Sequence, residues 1–152
     1  MNAQQYFDTI KHAQQRANEL NDRAELLMEH AGDAQAMRYD RPETGRQKGG
    51  ACNIDAMYDA YVRMERTAAH AYNAAELAAT MVAEGTEILE QMFEDPRCDI
   101  DATAILWDYY IELKTDVQIA NARYMTQSGV CKARQRGLRK STPYLKRAGV
   151  LG

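Results

Sequence analysis

Apolar residues recur in alternating steps of three and four along two long stretches of this chain. The first runs Ala3, Tyr6, Ile10, Ala13, Ala17, Leu20, Ala24, Leu27, Ala31. The second runs Ile54, Met57, Tyr61, Met64, Ala68, Ala71, Ala75, Ala78, Val82, Gly85, Leu89, Met92, with Gly85 its only non-apolar member. Such a heptad repeat keeps one apolar stripe on one side of a supercoiled helix, and no strand shares its period. An all-α fold follows. Helix one is expected from Ala3 to Ala31, with Asn2 as its cap and Gly32 as its stop. Phe7 and Met28 would widen its stripe, while Glu19, Asp22, Arg23 and Glu25 fall outside it. Helix two is expected to begin after Asn53 and to end at Glu94, before Asp95-Pro96. At ~1.5 Å per residue the two would be about 43 and 60 Å long.

Residues 33 to 52, DAQAMRYDRPETGRQKGGAC, lose this period and gather Pro42, Gly45, Gly49 and Gly50. They read as a mobile loop, and Arg38, Arg41, Arg46 and Lys48 as solvated linker cations. Residues 1–95 then make a long antiparallel helical hairpin of coiled-coil type, with loop 33–52 at its tip. Alanine at so many seam positions lets backbones approach closely but buries little area per residue. A second chain on the flank of Tyr58, Tyr61, Met64 and Tyr72 would add burial, and an overhang of the longer helix favours it. A homodimer is therefore expected. The methionines read as core rather than as a cofactor box.

Several function classes are excluded on simple grounds. No apolar run approaches the ~20 residues that cross a bilayer. MNAQQYFDTI lacks the basic and apolar parts of a secretory signal, so no membrane is expected and a cytoplasmic setting is. Cys52, Cys98 and Cys131 are odd in number and widely spaced, unlike zinc ligands. His12, His30 and His70 are equally scattered. No metal, cofactor or catalytic residue is expected, and the chain does not read as an enzyme. Glu84, Glu87, Glu90 and Glu94 read as a solvated helix face.

The net charge of −3 conceals a separation. All 22 acidic residues lie at or before Asp116. Beyond it stand eight cations: Arg123, Lys132, Arg134, Arg136, Arg139, Lys140, Lys146 and Arg147. An acidic scaffold with a basic end suggests a polyanionic partner. The basic end belongs to a second region, 96–152. There a helix from Asp99 or Asp101 to about Leu113, with Asp101 as cap, carries an apolar face at 102, 105, 106, 109 and 110. Thr115 and Gln118 have capping-box spacing for a helix of about Asp116 to Arg123, which offers Val117, Ile119, Ala120 and Tyr124 to a core. Thr126 caps the next helix, which Ser141-Thr-Pro143 should break. A short helix, a tight connection and a basic helix are the marks of a helix-turn-helix. The candidate DNA-binding residues are Thr126, Gln127, Ser128, Cys131, Lys132, Arg134, Gln135, Arg136, Arg139 and Lys140. Polar amides can read base edges, and the cations after them can clamp phosphates.

Thr115, Ile119, Ala120, Thr126, Val130, Lys132, Arg136 and Leu138 fall where a sigma-type helix-turn-helix has its caps, core and cations. The segment 104–140 resembles the C-terminal DNA-binding region of bacterial sigma factors. With AQQYFDTIKHAQQRANEL and a glycine-rich loop before a second long helix, the whole chain resembles small phage and prophage proteins. Those proteins place a sigma-like helix-turn-helix after a long helical part, and regulators of phage late transcription are among them. The resemblance implies a phage-type DNA-binding transcription regulator in the host cytoplasm, with double-stranded DNA as partner. It also admits a host partner, RNA polymerase or another nucleic-acid-binding protein. A second reading is a mobile-element interaction or inhibitor protein that works through its acidic hairpin. A third is a small terminase-like packaging adaptor.

Overall fold

The first helix, α1, spans Ala3–Asp40. In this computed structural model, residues 1–40 and 50–151 are described, with side-chain surroundings for 1–30 and 55–151. Asn2 caps α1 reciprocally: its Oδ1 accepts from the Gln5 amide at 2.8 Å, and Gln5 Oε1 accepts from the Asn2 amide at 2.9 Å. Every seam position from Ala3 to Leu27 is buried or half-buried. Phe7 joins the seam, but Met28 is 54% exposed and does not widen it. Gly32 does not stop the helix. One glycine costs about 1 kcal/mol of propensity, and the strong helix formers Ala34, Gln35, Ala36, Met37 and Arg38 follow it.

The second helix, α2, spans Gly50–Glu94 and so begins ahead of Asn53. Its end at Glu94 agrees with the Asp95-Pro96 signal. Residues 33–40 and 50–52 of the expected loop are helical; its stretch 41–49, with the expected mobility and the roles of Arg41, Arg46 and Lys48, lies outside the described residues. With 38 and 45 residues, α1 and α2 are both longer than expected and differ less in length than expected. Along α2 the seam holds at Met57, Met64, Ala68, Ala71, Ala78, Val82, Gly85, Leu89 and Met92. Tyr61 and Ala75 are exposed instead, and Ala74 is half-buried where the step slips by one.

The described residues are all-helical, with no strand among them. They form two compact units, Met1–Gln14 with Leu77–Gly152, and Gln15–Glu76. In the second unit Ala17, Ala24 and Ala71 are buried, whereas Tyr58, Tyr61 and Tyr72 are more than half exposed. The first unit holds the larger core. Phe7 and Ile10 of α1 meet Ile88, Leu89 and Met92 of α2 there. Gly85 permits the approach, since a Cβ on it would stand 2.6 Å from Ile10 Cδ1.

Three shorter helices complete that core. Asp99, not Asp101, caps α3 (Ile100–Leu106), its carboxylate accepting from the Asp101 amide at 3.0 Å. A π-helical turn, Trp107–Ile111, follows directly and ends with the Glu112 amide donating to the Trp107 carbonyl. Ala102, Ile105, Leu106 and Tyr110 are buried as their spacing requires, with Tyr109 half-buried. Gln14 donates to the Tyr110 carbonyl at 2.8 Å, satisfying an acceptor freed at the helix end. The next helix, α4, spans Asp116–Arg123. Thr115 and Gln118 form the full capping box. Ile119 and Ala120 are buried, but Val117 is 48% and Tyr124 98% exposed, so neither serves the core.

The last helix, α5, spans Gln127–Arg147 and packs on α3 and α4. Ser141-Thr-Pro143 does not break it. Pro143 forfeits its own amide bond, yet its fixed φ suits a helix. Ser141 and Thr142 hydroxyls donate to the Leu138 carbonyl at 2.6 and 3.2 Å. Burial of Tyr144 and Leu145 just beyond holds the final turn in place.

Candidate nucleic-acid interface

Local capping sets the position of α5. Thr126 takes an extended conformation, and its Oγ1 accepts from the Gly129 amide at 3.0 Å. Before it, Tyr124 adopts the left-handed region at φ 55°, which turns the chain between α4 and α5 within three residues. Val130, Ala133, Gly137, Leu138, Ser141, Tyr144 and Leu145 then form the buried face. Gly137 is required for close contact with α3: a Cβ there would lie 2.9 Å from Leu106 Cγ and 3.1 Å from the Ala102 carbonyl. With one face seated, the helical period sends the opposite face outward.

Seven of the ten candidate residues lie on that outward side. Gln127, Ser128, Lys132, Gln135, Arg136, Arg139 and Lys140 are all exposed. Thr126 is exposed too, but its hydroxyl oxygen is engaged in the cap. Cys131 is half-buried as a free thiol, 3.9 Å from Arg134 Nη2. Arg134 is the exception among the cations. Its side chain is 15% exposed, pairs with Asp116, and lies 4.0 Å over the Tyr109 ring. Those contacts tie α5 to α4 and to the π-helical turn, and they occupy the guanidinium. Arg123 is held likewise, donating to Asp108 at 3.0 and 3.2 Å from Nη2 and Nε.

Lys132, Arg139, Lys140 and Lys146 are exposed and have no ion-pair partner among the described residues. Arg136 has one exposed neighbour, Asp99, at 3.8 Å, an ion pair weak at such exposure. Arg136, Arg139 and Lys140 border a cavity of about 180 Å³ between α3 and α5. Because α5 runs through Pro143, exposed Lys146 and Arg147 extend the same helix, and the expected break had separated them from it. Helical spacing from Lys132 through Arg139 to Lys146 was the signal available for this extension.

At its end α5 is anchored to the residues after α2. The Tyr144 hydroxyl donates to the Asp95 carboxylate and lies 3.6 Å from Cys98 Sγ. That donor, joined by the Arg97 amide, holds the Asp95 carboxyl below the ordinary carboxylate range. The Tyr144 phenol is correspondingly pushed up, chiefly by the carboxylate it serves.

Among the described residues there is no group of three metal-ligating side chains and no helix long and apolar enough to cross a membrane. No protein family, curated protein or solved structure matches this chain.

Proposed function

We propose that this chain is a phage-type DNA-binding transcription regulator. In this reading α4, the turn at Tyr124 and α5 form a sigma-like helix-turn-helix, and α1 and α2 form an antiparallel, coiled-coil-like hairpin. One observation carries it: α5 is seated by its apolar face and presents Lys132, Gln135, Arg136, Arg139 and Lys140 outward. No acidic residue follows Asp116 in the sequence to compete with an anionic partner. Exposed polar groups in the first turns, followed by cations, suit base edges and flanking phosphates respectively.

Gel-shift titrations across a salt series test the reading. Affinity for duplex DNA should fall steeply with salt, because each cation–phosphate contact releases counterions. Lys132→Ala and Arg136→Ala should each weaken binding, whereas a duplex that never shifts at low salt refutes a DNA-binding role. A second reading, an interaction or inhibitor protein, is favoured by the exposed aromatic flank of Tyr58, Tyr61 and Tyr72 on α2. Capture of a defined host protein from nuclease-treated lysate, lost on Tyr58→Ser/Tyr61→Ser, would support that reading instead.

A further inference from the structure

Lys132, Arg136, Arg139, Pro143 and Lys146 follow one another along α5 in steps of four, three, four and three. Such steps trace a single stripe on a helix, drifting only ~20° in seven residues. All five are exposed, while Val130, Ala133, Gly137, Ser141 and Tyr144 are buried on the other side. Pro143 is the one member without charge. At ~1.5 Å per residue the stripe runs about 21 Å from Lys132 to Lys146.

The rear of this stripe is held as firmly as its front. Leu145 is fully buried, the Tyr144 hydroxyl donates to Asp95, and the Gly149 amide donates to the Lys146 carbonyl at 3.1 Å. These contacts keep the last turn from fraying, so Lys146 stays in register with Lys132. Lys146 is exposed and has no ion-pair partner among the described residues. Arg147 differs, its guanidinium lying 5.1 Å over the Tyr144 ring. A cation in the last turn also offsets the negative end of the helix dipole. That effect requires no register with cations several turns earlier.

A recognition helix reads base edges from its first turns, within a major groove about 12 Å wide. A stripe of about 21 Å on a straight helix outruns a groove that curves around the duplex. Its rear cation then lies beyond the bases, at the phosphates that border the groove. Contacts there carry no sequence information.

We infer that Lys146 is a phosphate-binding residue, so that α5 reads bases with its first turns and grips the backbone, blind to sequence, with its last. The inference rests on the reading of α5 as the duplex-binding helix.

Fluorescence anisotropy of the full chain with two labelled duplexes of unrelated sequence, over a potassium chloride series, tests it. Lys146→Ala should lower the slope of log affinity against log salt by about 0.9, the release tied to one phosphate contact. Binding to both duplexes should weaken by the same factor. Lys146→Arg should keep the natural slope. Arg63→Ala, which removes one exposed cation from α2, should keep it too. An unchanged slope in Lys146→Ala, an equal loss in Arg63→Ala, or weakening on one duplex alone overturns this inference and leaves the duplex-binding reading in place. A natural chain that binds neither duplex at low salt overturns both.

Discussion

Tyr124 carries the clearest local strain in the α4–α5 connection. It is not glycine, yet it sits at φ 55°, ψ 43°, and at 98% exposure it gains nothing from burial. Left-handed backbone costs an L-residue roughly 1–2 kcal/mol, of which glycine's larger unfolded-state entropy returns part. Tyr124→Gly should therefore stabilise the protein by roughly 0.5–1 kcal/mol, read as a higher urea midpoint. Tyr144 and Asp95 provide a second residue-scale prediction. The folded carboxyl is depressed, so its stabilisation is complete above the unfolded aspartate value near 4 and is lost as pH falls through the lower folded value. Tyr144→Phe removes the largest cause of that depression. Urea midpoints followed from about pH 6 to about pH 2 should fall less steeply in Tyr144→Phe than in the natural chain.

At the scale of elements, helix ends show what local signals decide. The caps at Asn2, Thr115 and Thr126 form as their spacing requires, because each is an agreement among residues three apart. Stops are less legible. Gly32 and Pro143 each cost a helix about 1–3 kcal/mol, a sum that flanking propensity or buried neighbours can exceed. Helix approach is legible only in three dimensions. Gly137→Ala gains about 1 kcal/mol of propensity but drives a Cβ into Leu106 Cγ and a carbonyl, an overpacking worth about 1–3 kcal/mol. Chemical denaturation should show it destabilised by about 1 kcal/mol. Gly85→Ala should lose less, because its new Cβ meets only the movable tip of Ile10.

At the scale of the whole molecule, the proposed partners rest on the charge separation of the sequence and on the exposed tyrosines of α2. If Tyr58, Tyr61 and Tyr72 form a self-interface, light scattering after nuclease treatment should give twice the mass of one chain. Tyr58→Ser/Tyr61→Ser should return it to a single chain's mass, and a natural chain already of single mass would exclude that interface. The all-helical character, the seams, the three caps and the exposed basic residues of α5 were readable from residue order. Each depends on spacing along one helix. Sequence could not show that Arg134 is tied to Asp116 and Tyr109 while Lys132 and Arg139 have no ion-pair partner among the described residues, since all three are cations on one helix. Nor could it show that the buried hydroxyl of Tyr6 has no hydrogen-bond partner among the described residues. Periodicity determines which side of a helix is apolar. Only packing decides what that side meets, and therefore which polar groups are used up and which remain to bind.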